Sequence, residues 1–336
     1  MKIAVDAMGG DFAPHEIVKG SIEAQKELGL EIILVGNKTQ IENELKKYAV
    51  NLEKIHIHHT TEIITNDDKP VHAVRQKKDS SMVVGLNLVK DGTAEAFVSA
   101  GNTGALLAGS LFQLGRIKGI DRPAIGAPYP TQKGISLLVD AGANAEGKPR
   151  NLLEFGVMGK IYAEKVFGIE NPEIGLVNIG TEEGKGTEII KQAYELYKKT
   201  KMNFIGNVEA RELSRGVADV IVCDGFVGNV VLKLTEGVAM TIMDMLKTQL
   251  KKNFVSKIGA MILMPSLRNF KKELDYTEYG GALMLGVNGA VIKAHGSSNA
   301  KAVKNAIRQA KSFVEHQVIQ SIVQEIERIG DENNAD

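Results

Sequence analysis

Short apolar runs, each followed by a polar loop that contains glycine, recur along the whole chain. The first run spans residues 2–7, and most of the loops lead into a segment whose apolar residues have helical spacing. Further runs lie at residues 31–35, 94–100, 134–140, 171–180, 218–225 and 290–296. Because parallel strands need a crossover connection, this alternation predicts a mainly parallel sheet with helices on both faces. The predicted fold class is therefore α/β.

One segment departs from this pattern. Residues 229–272 show only helical spacing, which predicts a helical excursion that protrudes from the α/β unit and makes a dimer contact. The chain has no fixed-period repeat and no linker rich in Pro or Ser, so we expect residues 1–330 to form one interwoven unit. The acidic tail at residues 331–336 is expected to fray.

Composition excludes several classes of protein. The 336 residues include 41 Lys+Arg, 41 Asp+Glu and one Cys, which leaves no net charge to attract nucleic acid and no pair for a disulfide. Asp6 interrupts the first apolar run, so no signal peptide is expected, and no run of about 18 uncharged apolar residues follows. We expect a soluble, cytoplasmic protein that binds no nucleic acid.

Six polar glycine loops follow predicted strands, and they are the main indication of a binding site. They are MGGD, SAGNTG, DAGAN, NIGTEEGKGT, CDGFVGN and AHGSS. If the strands are parallel, these loops meet along one edge of the sheet, where open α/β folds bind ligands. For any single loop, a simple chain reversal is the better interpretation, but six such loops that carry Asn, Thr, Asp, Lys and His together favour a site. Glycine loops that open helices present backbone N–H groups to anions, which favours phosphate.

Two of these loops supply the predicted phosphate ligands. These are Ser99, Gly101, Asn102, Thr103 and Gly104 in the SAGNTG loop and Lys185 in the NIGTEEGKGT loop. The NIGTEEGKGT loop is not a Walker A motif, because its glycine spacing is one residue short and Gly186 stands where the motif has a hydroxyl residue. No dinucleotide fingerprint, HExxH motif or Cys pair is present, so we expect neither a cofactor nor a metal site.

His295 ends an apolar run beside Ser297, where it is either a hydrogen-bond donor to substrate or a structural histidine. Other polar residues occupy equivalent loop positions, where they orient reacting groups or make local turns. These are Asp6, Asp140, Asn144, Asp224 and Asn229. Cys223 follows an apolar run with no base beside it in the sequence, so we interpret it as structural.

The stretch from residue 245 to 272 contains seven Lys or Arg and no acidic residue. Three interpretations stay open: a tip that dips into an anionic membrane, a docking patch for an acidic carrier protein, or a solvated face around a dimer core. The residues assigned to this basic patch are Lys251, Lys252, Lys257, Ile262, Leu263, Arg268 and Lys271.

The opening KIAVDAMGGD, followed in order by SAGNTGA, LLVDAGAN, NIGTEEGKG, DGFVGN and AHGSS, resembles the bacterial PlsX family over residues 1–325. That resemblance implies a fatty acyl-[acyl carrier protein]:phosphate acyltransferase, which makes acyl phosphate for phospholipid synthesis. It also implies a Rossmann-like three-layer α/β/α fold, similar to isocitrate and isopropylmalate dehydrogenases and to phosphotransacetylase.

The implied partners are acyl carrier protein, inorganic phosphate, a second copy of the chain and a membrane glycerol-3-phosphate acyltransferase. Peripheral association with the inner face of the cell membrane is a further expectation. Direct attack by phosphate needs no covalent intermediate, so we expect Lys185 to hold phosphate while Asn229 and His295 stabilise the oxyanion or assist the leaving thiol. A coenzyme A-dependent short-chain phosphotransacylase and a non-enzymatic scaffold are the alternatives.

Overall fold

The computed structural model describes residues 1–48, 52–274 and 278–335. The strands are β1 (Lys2–Asp6), β2 (Glu31–Gly36), β3 (Ile55–His59), β4 (Ala96–Ser99), β5 (Ala124–Thr131), β6 (Gly134–Val139), β7 (Ile174–Asn178), β8 (Phe204–Glu209), β9 (Val220–Val222), β10 (Ala282–Leu285) and β11 (Ala290–Lys293). The helices are α1 (His15–Leu28), α2 (Lys38–Leu45), α3 (Pro70–Gln76), α4 (Ser81–Lys90), α5 (Thr103–Gln113), α6 (Pro149–Tyr162), α7 (Glu188–Lys198), α8 (Gly225–Lys251), α9 (Phe254–Leu274), α10 (Ala300–Glu315) and α11 (Val318–Ala335).

The eleven strands in the described part of the chain form one sheet, in the order β3-β2-β1-β4-β11-β10-β5-β6-β9-β7-β8. The first five strands in this order, β3-β2-β1-β4-β11, are parallel to one another. The last four, β6-β9-β7-β8, are also parallel to one another. Strand β10 is antiparallel to both its neighbours, and β5 pairs with β6 as an antiparallel hairpin. The sheet is therefore mainly parallel, as predicted, but its two parallel blocks run in opposite directions.

Buried apolar residues cover both faces of the sheet, since alternate residues of a strand point to opposite sides. In β1, Ile3 and Val5 contribute to the core under α1, α6, α10 and α11. Ala4 contributes to the opposite core, which α3, α4, α5 and the start of α8 cover. The three-layer α/β/α architecture predicted above is confirmed.

Helices α8 and α9 form the helical arm. The first turn of α8 is buried at Gly225 and Gly228, but large apolar side chains farther along it are exposed, including Leu234 at 63% and Met245 at 65%. By length and composition alone, α8 is the one helix in the described part of the chain that could cross a membrane. Its N-terminal end nevertheless packs into the α/β unit.

The last helix, α11, continues to Ala335, through most of the tail that was expected to fray. Asp336, the final residue of that predicted tail, lies outside the described residues.

Candidate active site

A cavity of about 410 Å³ lies on the face of the sheet covered by α5 and α8, between the two parallel blocks. This volume falls within the range of small-molecule sites, roughly 300–1,000 Å³. Its polar side chains are Thr103, Asn229, Lys233, Glu236, Lys293 and His295. Its apolar wall includes Ile125, Ala127, Pro128, Leu232 and Ala282. A charged end and an apolar wall therefore share one space.

The glycine loops reach this cavity from opposite directions. Thr103 and His295 follow β4 and β11 in the first block, whereas Gly142 and Asn229 follow β6 and β9 in the second. A methyl group on Gly142 would lie only 3.5 Å from Cβ of Asn229, so these two loops are in contact. The prediction that all six loops meet along one edge is wrong, because the sheet reverses direction between the blocks. Loops from both blocks still meet at the cavity.

Ser99 and Asn102, two of the predicted phosphate ligands, make supporting contacts. Ser99 is buried, and its Oγ donates to Oδ2 of Asp6 at 2.7 Å and accepts from the Gly101 N–H at 3.1 Å. The Asn102 side chain caps α5 by accepting from the Ala105 N–H at 3.0 Å. Direct phosphate contacts by these two side chains stay predictions. Their observed contacts fix the loop that carries Thr103 and Gly104 into α5.

Three polar residues of the cavity were not predicted from the sequence: Lys233, Glu236 and Lys293, of which Lys293 is the most buried. Lys293 ends β11 opposite Ser99 in the strand register, lines the cavity and is only 9% exposed. Burial lowers its pKa to about 8, although the carboxylates of Asp6 and Asp11 oppose that change. The detectable signal was one lysine at the end of an otherwise apolar strand, directly before a polar glycine loop.

His295 has a defined tautomer. Its Nδ1 accepts from the backbone N–H of Ser297 at 3.2 Å, and Ser297 Oγ lies 2.8 Å from the same nitrogen. A neutral ring therefore carries its proton on Nε2, which makes Nε2 a hydrogen-bond donor. Partial burial lowers the pKa of His295, and the nearby charge of Lys293 lowers it further. Both effects favour the neutral ring.

Ser297 therefore orients the histidine. Neither Ser297 nor Ser298 caps the helix that follows, since α10 begins at Ala300 and the Asn299 side chain caps it.

Asp140 organises the loop after β6. Its Oδ1 accepts from the backbone N–H groups of Ile125, Gly142 and Ala143 at 2.9, 3.1 and 2.9 Å. Its Oδ2 accepts from the backbone and side-chain nitrogens of Asn144 at 2.7 and 2.9 Å. Burial raises the pKa of this carboxyl, and the same hydrogen bonds lower it in part. Asp140 thus fixes the wall of the cavity at Gly142 without lining the cavity itself.

The same cluster sets the start of α8. The carbonyl of Asn144 accepts from the Gly225 N–H at 2.7 Å, and Asp224 caps the helix by accepting from the Val227 N–H at 2.8 Å. Asn229 then follows on the first turns of α8. Asp140, the backbone carbonyl of Asn144 and the side chain of Asp224 therefore position the first turns of α8 and, with them, Asn229.

Glu236 lies farther along α8 and also faces the cavity. Burial raises the pKa of its carboxyl, and the neighbouring charge of Lys233 opposes that change. The two side chains from this helix therefore place one acidic and one basic group on the cavity wall.

Lys185 lies elsewhere. Its loop follows β7, its side chain is 52% exposed, and Nζ is 4.0 Å from Oε1 of Glu182. Thr187, in the same loop, caps α7. Lys185 does not line the cavity, and its predicted contact with phosphate stays a prediction.

Residues of the basic patch lie on the helical arm, outside the cavity. Lys251, Lys252 and Lys257 are exposed, as are Ile262 at 74% and Leu263 at 52%. The side chains of Arg268 and Lys271, assigned to the same patch, lie outside the described residues.

Cys223 is buried behind the loops, where burial raises the pKa of its thiol well above the ordinary value. A buried thiol with a raised pKa is inert, in agreement with a structural role.

A family model described as fatty acid synthesis protein matches residues 1–321. A curated phosphate acyltransferase from Alkaliphilus oremlandii is 61% identical over 332 residues, covering 99% of each chain. Among solved structures, a phosphotransacetylase from Streptococcus pyogenes superposes with a TM-score of 0.63 at 18% identity, over 97% of this chain and 94% of its own. A 4-hydroxythreonine-4-phosphate dehydrogenase from Klebsiella pneumoniae superposes with a TM-score of 0.54 at 13% identity, over 93% and 99%. These two structures support the expected fold and nothing further.

Proposed function

The chain belongs to the fatty acid synthesis protein family (PlsX), whose curated relatives are phosphate acyltransferases, and we propose on that premise that its acyl donor is long-chain fatty acyl-[acyl carrier protein]. The enzyme class follows from the family. The observation that supports the donor and acceptor is a single cavity with a cationic, donor-rich end and an apolar wall.

The cationic end suits inorganic phosphate. Lys293 and Lys233 line it, and the N-terminus of α5 reaches it at Thr103. Free backbone N–H groups and the positive end of the helix dipole favour an anion at such a position. In this proposal Lys185 acts from its own loop as a second phosphate contact.

The reaction requires little beyond positioning. A phosphate oxygen attacks the thioester carbonyl, the new C–O bond forms, the C–S bond breaks, and the carrier's thiolate leaves and takes up a proton. We assign the Nε2–H of His295 and the amide of Asn229 as donors to the oxyanion that develops on the carbonyl oxygen. Preorganised donors of this kind are usually the largest single contribution to acyl transfer. Holding phosphate against the thioester carbonyl supplies the remainder of the rate acceleration.

The apolar wall suits the first carbons of an acyl chain. Ile125, Ala127 and Leu232 offer it surface without polar groups that would be left unpaired. Lys251, Lys252 and Lys257, at the junction of α8 and α9, suit an acidic carrier protein by charge complementarity.

The exposed apolar face of α8 is proposed to pack against a second copy of the chain, giving a homodimer. It includes Leu234, Val238, Ile242 and Met245. The α9 residues Ile262 and Leu263 are proposed to touch an anionic membrane surface, near the membrane glycerol-3-phosphate acyltransferase that would use the product. Such an enzyme would be cytoplasmic and peripherally associated with the inner face of the membrane.

A comparison of acyl donors tests the proposal. Purified protein is given phosphate with either palmitoyl-[acyl carrier protein] or palmitoyl-coenzyme A, and free thiol release is measured for each. We expect faster release from the carrier protein, and a loss of about 100-fold in kcat for Asn229→Ala. Faster turnover of acetyl-coenzyme A than of either long-chain donor would instead indicate a short-chain phosphotransacylase. Binding of the carrier protein without turnover would indicate a scaffold.

A further inference from the structure

Lys293 is the only buried Lys or Arg among the residues that the structure describes. A buried ammonium loses its hydration, and proteins retain one only where a partner or a ligand compensates for the loss. In the described part of the structure, Nζ of Lys293 donates one hydrogen bond, to the carbonyl oxygen of Ala294. An ammonium has three N–H donors, so one backbone carbonyl does not satisfy it.

The residues around Lys293 form a row across three strands. Lys293 on β11 is opposite Ser99 on β4, and Ser99 donates to the carboxyl of Asp6 on β1. Asp6 is therefore engaged by Ser99, and its Oδ1 also accepts from the Met8 N–H at 3.2 Å. Its carboxylate attracts Lys293 without a hydrogen bond that would use the remaining N–H groups of the ammonium.

Three features meet at the lysine: the cavity, the N-terminus of α5 and the His295 loop. We propose that Lys293 binds the transferred phosphate directly, and that Asp6 and Ser99 position its ammonium for this contact. The proposal deepens the function proposed above, since it rests on phosphate being the acceptor. Lys293, at the end of β11, is then the main positively charged residue that contacts phosphate, and Lys185 remains a second proposed contact from its own loop.

The charged groups that face this end of the cavity are Asp6 and Asp11 from β1 and its loop, His295, and Lys233 and Glu236 from α8. Since the pKa of Lys293 is about 8, its positive charge is lost as the pH rises through that value. Phosphate remains an anion over the same range. Phosphate binding that depends on this ammonium must therefore weaken between pH 7.5 and 9.5, whereas an arginine at the position would stay charged.

The test measures binding of inorganic phosphate by titration calorimetry, with no acyl donor present. The variants are Lys293→Met, which keeps the apolar stem, and Lys293→Arg, which keeps the charge. The matched control is Lys301→Met, since Lys301 is an exposed lysine of α10 paired with Glu278. We expect phosphate binding to weaken at least about tenfold in Lys293→Met, to be partly retained in Lys293→Arg and to be unchanged in the control. In turnover, the KM for phosphate should rise while the KM for the acyl donor stays constant.

Phosphate binding by Lys293→Met within twofold of the unmodified protein would overturn the proposal, provided circular dichroism shows that the variant is folded. If that variant does not fold, the pH profile decides: equal weakening with pH in the unmodified protein and in Lys293→Arg would overturn it. Failure of the proposed function is distinguishable. In that case phosphate binding still depends on Lys293, but no acyl phosphate forms from acyl-[acyl carrier protein].

Discussion

The buried ammonium of Lys293 makes a specific prediction about stability as a function of pH. Its pKa is about 8 in the folded chain against an ordinary value of 10.5, because burial disfavours the charged form. Between these two values the unfolded chain binds more protons at this site than the folded chain does. The free energy of unfolding must therefore rise with pH across that window.

The size of the effect follows from the two pKa values. Over the complete window, the difference between a pKa of 10.5 and one of about 8 corresponds to about 3.4 kcal/mol, at about 1.36 kcal/mol for each pKa unit. Between pH 7 and 9.5 only part of this is recovered, about 2 kcal/mol, because the unfolded lysine is still mostly protonated at pH 9.5. Lys293→Met removes the titrating group, so its stability lacks this rise.

The assay is urea unfolding at pH 7.0, 8.0, 9.0 and 9.5, at one protein concentration and ionic strength, for the unmodified protein and Lys293→Met. The difference between the two free energies of unfolding isolates this site from the other titrating groups. It should shift by about 2 kcal/mol in favour of the unmodified protein as the pH rises. Parallel curves at all four pH values would refute the reasoning, because they would mean that the lysine is hydrated in the folded chain.

The remaining predictions concern other parts of the site. Asp140→Asn should cost about 3 kcal/mol of stability in urea unfolding, because the substitution removes the charge and places N–H donors against N–H donors; a loss below 0.5 kcal/mol would contradict the role of Asp140. His295→Ala should lower kcat about 100-fold in a thiol-release assay with little change in melting temperature, and an unchanged kcat would remove the histidine from the mechanism. Lys185→Ala should raise the KM for phosphate, and identical phosphate KM and kcat would show that its loop does not contact the substrate. Replacing Ile262 and Leu263 by Glu should weaken sedimentation with anionic liposomes and spare turnover in solution, whereas equal sedimentation would exclude membrane contact by α9.

Local sequence signals predicted much of the fold. The alternation of apolar runs and helical spacing identified the α/β class. The SAGNTG and NIGTEEGKGT loops lead into helices α5 and α7 as expected, with the short polar side chains of Asn102 and Thr187 as the caps. The reversal of the sheet was not predictable in this way. The apolar pattern of a strand does not indicate in which direction the strand runs within the sheet. The β5–β6 hairpin and the placement of β10 depend on contacts between distant segments.

Some residues of the site were likewise predictable from the sequence and others were not. His295 was identifiable, because it is a titratable residue directly after a strand, at the position where α/β folds bind ligands. The burial of Lys293 was not readable from sequence, since lysine is ordinarily exposed and only the packing of β4 and β11 encloses it. The contact between Ser297 and His295 likewise depends on the course of the loop. So does the identity of the residue that caps α10, which is Asn299.

The central claim is that a phosphate oxygen displaces the carrier's thiol from a long-chain acyl group. The most direct test mixes the purified protein with palmitoyl-[acyl carrier protein] and phosphate labelled at phosphorus, and traps the product with hydroxylamine. The account predicts a labelled acyl phosphate before trapping, and a palmitoyl hydroxamate that forms only when phosphate is present. Thiol release with no labelled acyl phosphate, or no reaction of a folded enzyme with a carrier confirmed to be acylated, would contradict it.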